Sequence, residues 1–166
     1  METDMDNLWA PWRLEYIEGL KDDKEGCVFC DLLKEKNDRK GLVLYRGKKA
    51  YVVLNRFPYS SGHLMVVTNE HTVDVSSLSP ETNHEVMHLV GESMTILSES
   101  VHAQGFNCGL NLGQLAGAGI RSHFHFHVVP RWPGDTNFLP VIGNVKTVPE
   151  YLEQTYDKLI GGFKKL

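Results

Sequence analysis

His123, His125 and His127, alternating in the segment HFHFHVVP, are the residues of this sequence best placed to do chemistry. Along a β-strand side chains alternate faces, and same-face neighbours stand about 6.6–6.8 Å apart. The spacing therefore predicts a strand with three imidazoles in one row. Phe124, Phe126 and Val128 then point the other way, onto a helix. On a helix the same spacing would scatter the rings. Imidazole titrates near neutral pH, attacks as a nucleophile, and both gives and takes protons. A row of three allows divided roles: one ring attacks, a neighbour hydrogen-bonds the reacting group, and a third supports it or binds metal.

The loop QLAGAGIRS before the row adds a second element. Gly109, Gly113, Gly117 and Gly119 allow positive φ and close backbone approach. Amides exposed in such loops form anion-binding nests, and Arg121 adds charge, so the loop reads as a phosphate cradle. Cys27-x-x-Cys30 is half of a zinc site, a redox pair, or two packed thiols. Cys108 reads as a packed strand residue.

These residues need a scaffold. The first 20 residues, aromatic and proline-containing, read as an arm laid on a domain, and Cys27 to about Lys36 as a short helix. GLVLYR and AYVVLN form a hairpin around Gly47-Lys48-Lys49, and HLMVVTN is a third strand. Ser79 and Pro80 open a long helix with apolar positions at Val86, Leu89, Val90, Met94, Leu97 and Val101, stopping near Gly105. FNCGLNLG and HFHFHVVP complete five strands. Thr147-Val-Pro-Glu150 has a capping-box pattern that opens a last helix through about Ile160. Short connections favour an antiparallel sheet with helices on one face, an α+β fold.

Composition sets the bounds. A chain of 166 residues suits a single domain spanning 1–166, and 42 % apolar with 23 % charged residues suits a soluble one. Net charge is −4 with no basic tract, which argues against nucleic acid as a partner. No apolar run reaches the ~18 residues of a membrane span. The acidic start METDMDNLWAPW is unlike a secretory signal, so the expected compartment is the cytoplasm.

His-x-His-x-His-x-x with apolar x, here residues 123–129, resembles the motif of the histidine-triad (HIT) nucleotide hydrolases and transferases. CVFC, the strand ending in Asn55, GHLMVV with the later His71, and the Asn111 loop follow in the family's order. NLWAPWR and VVPRWPGDTNF resemble the branch with diadenosine-tetraphosphate phosphorylases. The resemblance implies that His125 attacks an α-phosphorus and carries the nucleotide, that His127 donates to the phosphate or leaving oxygen, and that His63 supports the triad. It implies a nucleoside pocket of Val28, Phe29, Leu32, Val53 and Asn55. Asn55 stands where the family commonly has an acidic residue on the ribose. Asn111, Gly117, Gly119 and Ser122 would lie at the phosphates, and Trp132 would stack on a base or cover the site.

The resemblance further implies structural zinc on Cys27, Cys30, His71 and His123, and a homodimer whose sheets join. Many family hydrolases carry Gln four residues before the first triad histidine, where this chain has Gly119, and the loop is one residue longer. This departure favours inorganic phosphate over water as acceptor, hence a diadenosine-tetraphosphate phosphorylase (ATP adenylyltransferase). The alternatives are a hydrolase or phosphoramidase releasing AMP, and a non-catalytic nucleotide- or zinc-binding module.

Overall fold

β-branched and aromatic runs separated by short polar turns dictate the centre of the fold, an antiparallel sheet. The computed structural model describes residues 26–135 and 150–166. The expected arm over residues 1–20, and the Thr147 position of the expected capping box, lie outside those residues. Helix α1 spans Val28–Lys34 and α2 spans Asp38–Gly41. Strands β1 (Val43–Arg46), β2 (Ala50–Leu54) and β3 (Leu64–Thr68) follow. After a 3-10 turn at Val75–Ser77 comes the long helix α3 (Pro80–Val101). Strands β4 (Gly105–Gly109) and β5 (His125–Arg131) precede α4 (Leu152–Phe163). The sheet order is β1-β2-β3-β5-β4, antiparallel throughout. The α+β expectation with five strands holds. No helix among the described residues is long and apolar enough to cross a membrane.

Register fixes which side chains share a face. Val53 pairs with Met65 and Met65 with His127; Tyr51 pairs with Val67 and Val67 with His125. Those residues line one face. Val52, Val66 and Phe126 share the other, as do Leu54, Leu64 and Val128. Helix α3 lies on this second face: a Cβ at Gly62 would touch both Leu97 of α3 and Pro130 of β5. Ser79 caps α3 by accepting from Thr82 N–H at 3.1 Å. Val86, Leu89, Val90, Ile96 and Leu97 are its buried apolar residues, while the expected Met94 and Val101 are half-buried.

Three boundaries differ from expectation. α3 stops at His102, in the left-handed region at φ 56, and Gly105 instead opens β4. Histidine tolerates that conformation better than most side chains, so glycine is not required. α4 begins at Leu152 with Tyr151 at its N-cap, where Gln154 accepts from Tyr151 N–H and Glu150 accepts from Thr155 Oγ1. β5 begins at His125, because Phe124 N–H turns to Thr72 O at 2.6 Å; His123 therefore precedes the strand.

Candidate active site and metal cluster

The start of β5 brings the histidines together beneath α1. Phe29, buried on α1, has its ring 5.5 Å from that of His123 and 5.1 Å from that of His125. Tyr51 holds α1 in place by donating its hydroxyl to Phe29 O at 2.9 Å. His125 and His127 meet edge to face at 5.0 Å. His63, immediately before β3, is fully buried, which removes the reading of a surface histidine.

Hydrogen bonds assign the tautomers. His125 donates Nδ1–H to His123 O at 2.8 Å, which leaves the Nε2 lone pair free to attack. Tyr59 donates its backbone N–H to His63 Nδ1 at 3.0 Å. His63 must then carry its proton on Nε2, and donates it to His127 Nδ1 at 3.0 Å. His127 in turn holds its proton on Nε2, ready to donate. The chain Tyr59–His63–His127 thus builds a proton donor out of neutral groups. Sequence reasoning missed Tyr59: its contribution is a backbone N–H and a ring stacked on His63 at 4.8 Å, neither of which residue type reveals.

Burial favours the neutral rings. It holds His125 below the ordinary histidine range, against the opposing effect of the carbonyl bond. Burial, with the neighbouring His125 as a smaller cause, pushes His127 down to about 4. Both are therefore neutral at pH 7, as a nucleophile and a hydrogen-bond donor require.

Beside this row lies a second cluster. The ligand atoms of Cys27, Cys30, His71 and His123 lie within 4.8 Å of one another. Cys27 Sγ is 3.3 Å from His123 Nδ1, Cys30 Sγ is 3.3 Å from His71 Nδ1, and Cys30 Sγ is 3.6 Å from His123 Nδ1. Bonds of 2.3 Å to sulfur and 2.0–2.1 Å to nitrogen imply tetrahedral edges of about 3.3–3.8 Å, and the three sulfur–nitrogen separations lie in that range, so the four groups fit a zinc-sized ion. His123 donates Nε2–H to Thr68 O at 2.7 Å, which aims its Nδ1 lone pair at the cysteines.

The remaining expected site residues fall into three groups. Val53 is buried on the histidine face; Leu32 is half-buried and Val28 exposed, both on α1. Asn55 is braced within its loop, accepting from Phe57 N–H at 2.9 Å and approaching His63 Nδ1 at 3.4 Å. Its second N–H and second lone pair are what a ribose would use. Asn111, Gly117, Gly119 and Ser122 lie in the β4–β5 loop. No hydrogen bond joins them to the histidine row among the described residues. Gly113 and Gly117 take positive φ there, whereas Gly109 and Gly119 do not. Arg121 reaches back to Gln114 at 3.3 Å.

Trp132 departs from the expected stacking role. It lies five residues beyond His127, about 16 Å along an extended chain, with the parity of Val128 and Pro130. Its indole N–H binds Val101 O of α3 at 3.1 Å, on the opposite face of the sheet. Cys108 is also corrected: it is exposed, on the edge strand β4.

An antiparallel five-stranded sheet carrying neutral histidines at alternate positions, with a supporting histidine at the threshold of the neighbouring strand, defines a histidine-triad site. A family model described as the HIT domain matches residues 36–134, and the chain belongs to that family. The chain is 37 % identical over 158 residues to a protein of Mycobacterium tuberculosis (strain ATCC 25618 / H37Rv) named AP-4-A phosphorylase, covering 91 % of this chain and 80 % of that one. Among solved structures, a Zn-bound histidine triad family protein from Mycobacterium smegmatis superposes with a TM-score of 0.68 at 27 % identity, over 85 % of this chain and 95 % of the other. A histidine triad nucleotide-binding protein from Sulfolobus tokodaii strain7 does so with a TM-score of 0.68 at 25 % identity, over 84 % and 93 %.

Proposed function

We propose that this chain is a diadenosine-tetraphosphate phosphorylase working through a nucleotidylated histidine. The observation that carries the reading is the tautomer pattern: His125 free at Nε2 beside His127 protonated at Nε2. Attack by His125 Nε2 on an α-phosphorus forms an N–P bond and breaks the bond to the bridging oxygen. His127 Nε2–H donates to the oxygen that leaves. Inorganic phosphate then attacks the same phosphorus, frees His125, and yields a nucleoside diphosphate. The likeness to the mycobacterial phosphorylase supports the substrate class. Gly119 in place of an amide supports phosphate over water as acceptor.

Phe29, Leu32, Val28 and Val53 form the base wall in this reading, and Asn55 takes the ribose. Asn111, Gly117, Gly119 and Ser122 face the phosphates. We assign zinc to Cys27, Cys30, His71 and His123, where it holds α1 to the sheet. Three cysteines, none of them in a disulfide, suit a reducing, cytoplasmic setting. β4 is a sheet edge on which a second copy would extend the sheet into a homodimer.

Product analysis on diadenosine tetraphosphate tests the reading. ADP and ATP formed only with inorganic phosphate support it. AMP formed regardless of phosphate makes water the acceptor and the protein a hydrolase. His125→Ala should abolish turnover but retain nucleotide binding; unchanged turnover overturns the mechanism.

A further inference from the structure

On the far side of the sheet, α3 carries His84-Glu85-Val86-Met87-His88. His84 and His88 lie one turn apart on the same helix face, where residues four apart are neighbours. Both are exposed, and their rings stack nearly parallel, 7° apart with centroids at 6.5 Å. Together with Tyr45, Lys48, Glu81 and Glu85 they line a cavity of about 610 Å³ between α3 and the β1–β2 hairpin. Glu81 stands one turn before His84. Glu92 stands one turn after His88, with its carboxylate 4.0 Å from His88 Nδ1.

We propose that His84 and His88 form a second metal site for an imidazole-preferring divalent ion of the nickel, copper and zinc class, with Glu81 or Glu92 as the third ligand. Two imidazoles sharing one tetrahedral ion stand about 5 Å apart between centres, given nitrogen–metal bonds of 2.0–2.1 Å. Closing from 6.5 Å needs only side-chain rotation, which exposed rings are free to make. Imidazole with carboxylate suits this class of ion, whereas the cysteines of the first cluster favour softer coordination.

The pattern His-Glu-x-x-His on a helix is also the signature of zinc proteases, in which the glutamate is the general base. Here the glutamate is already engaged. Glu85 accepts from Lys49 N–H at 3.0 Å and from Ala50 N–H at 3.3 Å. A Cβ at Gly47 would sit 2.1 Å from its oxygen, so carboxylate and hairpin are fitted to each other. Glu85 clamps the hairpin to α3 and fixes the wall beside the histidines. The site therefore binds an ion without hydrolytic chemistry.

The test is calorimetric titration of nickel into tag-free protein whose cysteine cluster is already loaded with zinc. One nickel ion per chain beyond the zinc is expected. His84→Ala and His88→Ala should each weaken that binding by more than about tenfold, with far-ultraviolet circular dichroism and nucleotide turnover unchanged. Absence of nickel uptake overturns the proposal. So does uptake that persists in the His84→Ala/His88→Ala double variant, or that is lost only in Cys30→Ser.

Discussion

Replacing His63 by Leu tests whether the second histidine makes His127 a donor. The substitution keeps an apolar side chain in a fully buried position and removes the Nε2–H that meets His127 Nδ1 at 3.0 Å. His127 Nδ1 is then a buried acceptor without its partner, which costs about 1–3 kcal/mol. The bias that held the proton on His127 Nε2 is lost by the same amount, so Nε2 donates to the leaving oxygen less often. At 1.36 kcal/mol per tenfold, kcat/KM should fall by roughly 5- to 150-fold with diadenosine tetraphosphate and phosphate. With adenosine 5′-phosphoroimidazolate, whose leaving group departs more readily, the fall should be much smaller. His63→Gln, whose amide can still donate, should recover part of the loss. Circular dichroism and a thermal melt establish that each variant is folded. If the folded His63→Leu protein turns over both substrates as the parent does, the relay is not what makes His127 a donor.

Four further outcomes follow from the geometry. Elemental analysis should find one zinc per chain at the cysteine cluster. Cys27→Ser should lose it and lower Tm by at least about 2–4 °C, the shift a 1 kcal/mol loss produces in a chain of this size; an unchanged Tm would sink the anchoring role. His127 titrates near 4 when folded and near 6.5 when unfolded, so the unfolded chain takes up that proton first as pH falls. Stability is full above pH ~6.5 and declines by up to about 3 kcal/mol towards pH 4. Denaturant melts of the parent and of His127→Gln should therefore diverge in pH dependence, and parallel curves would contradict the burial argument. Gly119→Gln should raise the AMP formed without phosphate; an unaltered product ratio removes Gly119 from the choice of acceptor. Gly162→Ala puts a Cβ 2.7 Å from Ile96 Cγ2, and the overpacking between α4 and α3 should cost about 1–3 kcal/mol in chemical denaturation.

What was legible in the sequence was what periodicity encodes. Alternation placed His125 and His127 on one face and Val128 on the other, and register bears this out. Ser79 and Pro80 marked the start of α3 because capping is local chemistry. The C-terminal end of α3 was not legible, because a histidine adopts the left-handed conformation usually given to glycine. Strand parity could have placed Trp132 on the helix face, but its partner, a carbonyl at the end of α3, is a tertiary choice. Cys108 looked packed because its strand is apolar in part; only sheet order reveals that β4 is an edge. Residue types pointed to the histidines, whereas their tautomers depend on carbonyls and an N–H contributed by distant loops.

His123 joins the two clusters, and that junction bears on His125, the proposed nucleophile. Its Nδ1 faces the cysteines, its Nε2–H binds Thr68 O, and its backbone carbonyl accepts from His125 Nδ1. The acceptor that keeps the proton on His125 Nδ1 is thus positioned by a residue anchored at the cysteine cluster. Phe124 N–H, bound to Thr72 O, holds the next residue in place and turns the His123 carbonyl toward His125. Loss of the cysteine anchor therefore acts on catalysis through position and not through charge. It relaxes His123, lengthens the bond to His125 Nδ1, and lets the proton move to the attacking nitrogen. A His71→Ala variant should show this as a lower kcat with a smaller change in KM, since Tyr51 still ties α1, and with it the base wall, to β2 through Phe29 O. An equal rise in KM with kcat preserved would locate the effect in nucleotide binding and break the link between the two clusters.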